Sequence, residues 1–321
     1  SEGGSVRGLL AVVLICCSAW ASAQTYPVKP IRIVVGYPPG GSGDFTTRII
    51  ADELSKELGV AVVVENKPGA GGSIASELVA KSQADGYTLL NQGNHAINKS
   101  LYKNLSYDDK DFIPISRVAN GATVLVVNNA TPYQSLRELI AYAKANPGTL
   151  FNASAGFGSA PQIAACAFEA AAGIKVTSVQ FKGGGPAAQS LLAGDTQMMF
   201  ATSPTVMGFI KGARMRPLVI SMRKASPSIP GIPGAEEAGL SGFESTFWFG
   251  LYAPAGTPME IVRRLHAAAL KGLSKPEARE KIALQGMDAL PSASPEAFAA
   301  EIRNEAPEIE RALRECGAKI E

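Results

Sequence analysis

A chain of 321 residues, 46% of them hydrophobic and with a formal net charge of +2, is too long for one small core and too apolar for disorder. It has no basic run that would follow a phosphate backbone, and its 21 Pro and 33 Gly show no fixed period, which excludes collagen-like and solenoid repeats. Two domains are expected.

In chain order, Arg7 precedes the apolar run LLAVVLICCSAW, and Ala21-Ser22-Ala23 follows with the small-x-small pattern of a signal-peptidase site. Residues 1–23 therefore read as a signal peptide cleaved before Gln24. The run is shorter than the roughly 20 residues that cross a bilayer, so the mature chain is expected to be soluble. Ile15 and Cys16 fit poorly before a lipidated cysteine, which leaves a lipid anchor as the lesser alternative.

Strand-length apolar runs then alternate with helical patterns: IRIVVGY before Asp44 to Leu58, VAVVVEN before Ser73 to Ser82, and YTLLNQG before a short segment through Leu101. This order implies a largely parallel sheet with helices on both faces. After ATVLVVNN a second series begins. Its helices are Ser135 to Asn146, Pro161 to Ala172 and Pro186 to Ala193, and its strands are TLFNASAG, KVTSVQF and TQMMFAT, followed by a strand at Arg216 to Met222. From FWFGLYAP onward the chain reads as helical, over Met259 to Leu273, Lys275 to Gln285 and Pro295 to Cys316. The expected division is one lobe from 24–125 and 249–321 and another from 126–248, with hinge connections at Thr123 to Asn128 and Phe247 to Ala253.

The loop GYPPGGSGD ends the first strand and opens a helix capped by Ser42 or Asp44. Its glycine spacing is that of a phosphate loop, but Ser42 stands where the lysine is required, so nucleotide binding is disfavoured. Bare N–H groups at a helix start suit a small anion instead. A second loop of this type, Asn66 to Ser73, follows the next strand. Two such loops at neighbouring strand ends aim two helix termini at one point, where open α/β sheets bind ligands. Each terminus gives about 0.3–1 kcal/mol when exposed, whereas micromolar binding needs about 8 kcal/mol. Charge-assisted hydrogen bonds, at roughly 1.5–3 kcal/mol each, must supply the rest. The second series offers matching loops at Asn152 to Ser159, Phe181 to Gly185 and Ala201 to Ser203. Lys182, the one cation in them, reads equally as a solvated lysine or a ligand contact.

Catalysis is not expected. No G-x-S-x-G elbow is present, and neither His95, at a strand end, nor His266, read as lying at a helix surface or edge, has an obvious nucleophile partner. Asp44, Asp85 and Asp195 sit in turn or cap contexts. Cys166 and Cys316 are read as buried free thiols, with a bridge in an oxidising compartment as the alternative. Two cysteines and two histidines cannot make a usual structural zinc site, and no metal or cofactor is expected.

The stretches YPVKPIRIVVGYPPGGSGD, VVVENKPGAGGSIASELVAKSQADGYTLL, HAINKSLYKNLSYD, KDFIPIS, ASAGFGSAP, FKGGGPAAQSLLAGD, ISMRKASPSIPGIPGAEEAGLSGFE and WFGLYAPAGTP resemble, in order, the periplasmic solute-binding proteins of tripartite tricarboxylate transporters, the Bug proteins. The resemblance implies a two-lobed periplasmic-binding-protein fold of the second type, a monomer that closes on a small carboxylate. It also implies delivery to large and small membrane subunits, with a periplasmic sensor of the same fold as the alternative. Carried over by position, it puts Tyr37, Gly40, Gly41, Ser42, Gly69, Ala70, Gly71, Gly72, Asn91 and His95 on the near wall. Ser154, Gly158, Ser159, Phe181, Lys182, Gly183, Ala201 and Thr202 would form the far wall. Ala201 stands where many relatives have Asp, a departure that disfavours an amino-acid ligand. Gln162 reads as a reader of the distal end of the ligand or as a solvated helix residue.

Overall fold

A computed structural model of the chain describes residues 26–93 and 105–317; the signal-peptide assignment to 1–23 and the site assignment of His95 lie outside them. The first strand, β1 (Ile31–Val35), is almost wholly buried, and its apolar run continues into the loop that opens α1 (Ser42–Leu58). Gly59, at φ 71°, ends that helix in the left-handed conformation that glycine adopts without strain. β2 (Val62–Asn66), α2 (Ser73–Ala80) and β3 (Thr88–Gln92) follow. β1 pairs in parallel with β2 and with β3, so the strand ends Val35, Asn66 and Asn91 lie side by side.

The second series is built alike: α3 (Leu136–Ala145), β5 (Phe151–Ser154), α4 (Ala160–Ala172), β6 (Thr177–Gln180), α5 (Gly184–Ala193) and β7 (Met198–Thr202). β5 is parallel to both β6 and β7. A helix absent from the sequence reading, α6 (Ser203–Lys211), leads to β8 (Met215–Ile220).

The centre of the sheet differs from expectation. β4 (Phe112–Asn128) is one continuous strand, and FWFGLYAP lies in β9 (Thr246–Pro254), so both segments read as hinge connections are strand. Their long apolar runs fit strands covered on both faces. β4 runs antiparallel to β9 over Phe112 to Ala122 and then antiparallel to β7 and β8 from Thr123 onward. The resulting order is β2-β1-β3-β9-β4-β7-β5-β6, with β8 and β10 (Met287–Ala289) also on β4. At the change of partners the Ser221 hydroxyl accepts from the Thr123 N–H at 2.9 Å and donates to the Ser245 carbonyl at 2.5 Å, joining the two crossing chains.

Helices cover both faces. α1 and α7 (Met259–Leu273) pack Leu54, Leu265 and Leu273 on Ile33 and Leu89, while the other face joins Val79, Tyr252 and Phe298. In the second section Leu139, Phe168 and Phe200 fill one face, and Leu191, Val206 and Ile220 the other. α8 (Pro276–Ala283) and α9 (Pro295–Glu315) complete the chain. Among the described residues, no helix is long and apolar enough to cross a membrane.

Two readings are corrected. Cys166 and Cys316 are not free thiols: they form a disulfide between α4 and the end of α9, with Cα atoms 5.3 Å apart and 150 residues between them in sequence. Proximity across that distance has no sequence period to reveal it. His266 is buried, with Nε2 2.9 Å from the Ser292 carbonyl, and does not lie at the helix surface.

Candidate functional site

The first glycine loop is built around a buried carboxylate. Asp44, in the first turn of α1, accepts from the Gly40 N–H at 3.0 Å, from Arg48 Nε at 3.0 Å and from Asn66 Nδ2 at 2.9 Å. Asn66 also donates to the Tyr37 carbonyl at 3.0 Å. One side chain thus ties the loop, its helix and the end of β2. Burial acts to raise the Asp44 pKa, but the bonds from Arg48, Gly40 and Asn66 outweigh it and hold the carboxyl below its ordinary range. The expected cap differs: Gly41 is the N-cap of α1 and provides no side-chain bond.

The second loop runs through four successive positive φ values, 131° at Gly69, 47° at Ala70, 62° at Gly71 and 97° at Gly72. It is held by Gln92 at the end of β3, whose Nε2 donates to the Gly71 carbonyl at 3.1 Å. A Cβ on Gly72 would fall 1.8 Å from Gln92 Nε2, and one on Gly36 would fall 2.6 Å from the Gly72 Cα, so the two loops meet backbone to backbone. Tyr37 lies edge-on to Phe249 with centroids 5.5 Å apart, and the Gly93 N–H donates to its phenolic oxygen. Burial, only partly offset by that bond, pushes the phenol up to about 12.

Opposite stand the loops of the second section. The Phe181 N–H donates to the Ser154 carbonyl and the Gly183 N–H to the Ala155 carbonyl, which knits the β5 and β6 ends together. Ser159 caps α4 by accepting from the Gln162 N–H, and Gln162 Oε1 accepts from the Gly158 N–H at 2.7 Å. Gln162 is therefore buried, with its Oε1 holding the loop, and is not a solvated helix residue. Thr202 and Thr205 share a hydroxyl bond at 3.1 Å, Lys182 is exposed, and Ala201 is packed in the apolar cluster with Val124 and Met199.

These two sets of loops touch. Pro38 Cγ lies 3.5 Å from the Cβ position of Gly183. Elsewhere the sections also meet, with Ser203 Oγ 2.5 Å from the Cβ position of Gly286 and Ala160 packed against the core of the first section. In the strand-end loops and the strand ends beside them, buried polar atoms have no partner: Ser42 Oγ, Ser73 Oγ, Asn91 Oδ1 and Gln92 Oε1 in the first section, and Asn152 Oδ1, Ser154 Oγ, Gln180 Oε1 and Ser203 Oγ in the second. Helices α1, α2, α5 and α6 begin at the ends of these loops, with N-caps Gly41, Gly72, Gly183 and Thr202, none of which provides a side-chain cap. Among the described residues, no group of three or more His, Cys, Asp and Glu is arranged to hold a metal.

A family model described as the tripartite tricarboxylate transporter family receptor matches residues 46–312. The chain belongs to that family. It is a family of solute-binding receptors rather than enzymes. Among solved structures, the periplasmic binding protein BugD is 31% identical, with a TM-score of 0.83, covering 92% of this chain and 100% of its own. Rpa4515 of R. palustris, solved with adipate, is 29% identical with a TM-score of 0.86 and the same coverage of both chains. MatC (Rpa3494) from Rhodopseudomonas palustris, solved with bound malate, is 29% identical with a TM-score of 0.81, covering 90% of this chain and 100% of its own. The receptor fold here is accordingly the periplasmic-binding-protein fold.

From the sequence alone Asp44 reads as a turn or cap residue, and Asn66 and Gln92 do not stand out as builders of the loops. A signal for them existed: Asn66, Asn91 and Gln92 are polar residues closing otherwise apolar strands, where a side chain is placed to reach the adjoining loop.

Proposed function

We propose that this receptor is exported to the periplasm, captures a small carboxylate between its two sets of strand-end loops, and presents it to the large and small membrane subunits of a tripartite tricarboxylate-type transporter. The observation that carries the reading is that four uncapped helix starts and eight unpartnered buried polar atoms lie in two sets of strand-end loops that meet at Pro38 and Gly183. An anion placed there accepts from N–H groups that have no competing side-chain cap, at about 1.5–3 kcal/mol for each charged hydrogen bond. No buried cation is required.

On this reading Tyr37 to Ser42, Gly69 to Gly72 and Asn91 form the near wall, and Ser154, Gly158, Ser159, Phe181 to Gly183 and Thr202 the far wall. The lobes are 24–125 with 249–321, and 126–248, hinged where β4 changes partners and where the chain returns into β9. A ligand that bridges both walls favours the closed form by its extra contacts there, and closure signals the transporter. The adipate and malate bound by two relatives of similar fold support an aliphatic dicarboxylate as the first class to test. Isothermal titration of unliganded protein with dicarboxylates, aromatic carboxylates and the corresponding amides tests the reading. Binding of amides as tight as that of the acids would count against it.

A further inference from the structure

The C-terminal helix α9 is seated at two places that belong to different sections of the sheet. Its first half rests on β4 and β9: Phe298 is fully buried with its ring centroid 5.4 Å from those of Trp248 and Tyr252. Arg117 of β4 bonds Glu305 at 2.8 Å and Glu301 at 3.1 Å, and the Trp248 indole N–H also donates to Glu305. Its last turns rest on α4, where Ile309, Leu313 and Cys316 pack against Ile163 and Cys166 and the disulfide is formed. Pro307 stands between the two seats. It has no N–H to give the Arg303 carbonyl, which makes it a natural bending point in the helix. The helix receiving the second seat is the one whose Ser159 and Gln162 hold the Gly158 loop.

We propose that α9 is a strap, jointed at Pro307 and bolted by Cys166–Cys316, that limits how far the far wall swings from the near wall; the proposal rests on the hinge-closure reading above. β4 and the segment entering β9 also cross between sections, but they permit rotation about themselves. The strap adds a covalent tie away from that axis, and wider opening must bend it. A dithiol reductant releases the tie: two electrons break the S–S bond, two protons complete the Cys166 and Cys316 thiols, and the reductant leaves as its own disulfide. Among the described residues, the last turns then keep the small apolar contact of Ile309 and Leu313 with Ile163, and the ligand-free molecule gains more open conformations. Because those conformations lower the free energy of the unliganded state alone, affinity falls.

X-ray scattering of the ligand-free chain tests this without a ligand. The oxidised protein, the same protein reduced with dithiothreitol, and the Cys166→Ser/Cys316→Ser variant are compared, with thiol titration to verify the redox state. The expected result is a larger radius of gyration in the reduced and variant forms. With adipate as probe, the dissociation constant should rise by roughly three- to tenfold on reduction. Superimposable scattering from oxidised and fully reduced protein overturns the strap even if adipate binds. Expansion on reduction in a protein that binds no carboxylate keeps the strap and removes the carboxylate reading instead.

Discussion

Pro38 Cγ stands 3.5 Å from the point at which Gly183 would carry a Cβ. Pro38 belongs to the loop before α1 and Gly183, at φ 112°, to the loop before α5, so the two walls approach each other through a proline ring and bare backbone. The glycines of this protein serve two different purposes, and substitution separates them.

Gly72 is structural. Its φ of 97° is strained for other residues, and an added Cβ would fall 1.8 Å from Gln92 Nε2. Gly72→Ala should lower stability by about 1–3 kcal/mol. Gly41 is different: its φ is −85° and the nearest atom to an added Cβ is the Pro38 carbonyl oxygen at 3.6 Å. Gly41→Val should change stability by no more than about 1 kcal/mol while weakening carboxylate binding by tenfold or more, roughly 1.4 kcal/mol. Paired denaturation curves and titrations read both effects, and a Gly41→Val protein of near-native affinity would contradict the placement of the anion.

Acid should weaken the first loop. The Asp44 carboxyl is held below its ordinary value in the folded state, so its contribution is complete above the unfolded carboxylate range, near pH 4, and is lost as pH falls through the lowered folded value. Glu53 behaves alike: burial is outweighed by the bonds from Lys56 and Lys275. Asp44→Asn should therefore be less stable at neutral pH and show a shallower loss of stability below pH 4, measured by urea unfolding across pH. A profile parallel to that of the native protein would count against the role given to Asp44.

The crossover between the two sections depends on Ser221, which is fully buried between Thr123 and Ser245. Ser221→Ala leaves the Thr123 N–H without its partner and should cost about 1–3 kcal/mol. Ser221→Cys, of similar size but a poorer hydrogen-bonder, should fall between. Thermal unfolding that ranks alanine at or above serine would refute this assignment.

Loss of the disulfide should be expensive in stability as well as in opening. It closes a span of 150 residues, and removing such a bond typically costs about 2–5 kcal/mol. Calorimetry of the Cys316→Ser protein should show a lower Tm, and an unchanged Tm would mean that the small cluster of Ile163, Ile309 and Leu313 suffices alone.

Much of the outer fold was legible because strand and helix periods differ and Gly or Pro punctuates each unit, as at Gly59 and at Pro147-Gly148. The glycine loops were visible for the same reason. The centre was not: in β4 and β9 nearly every residue is at least partly buried because both faces are covered, so apolar residues do not alternate with polar ones, neither period emerges, and FWFGLYAP resembles the entry to a helix. The start of α6 did have a signal, Ser203-Pro204 in its first turn, which the preceding strand pattern masked. The Cys166–Cys316 bond and the bond from Gly158 to Gln162 depend on tertiary placement, and no local pattern contains them.

The most direct test of the carboxylate site is a thermal-shift titration of unliganded native and Gly41→Val proteins with adipate, malate and an aromatic carboxylate, each beside its amide. The account predicts that at least one acid raises the Tm of the native protein with increasing concentration, that its amide does not, and that Gly41→Val loses the response while its ligand-free Tm falls by no more than a few degrees. Equal responses in the two proteins, or no response of the native protein to any carboxylate, would contradict it.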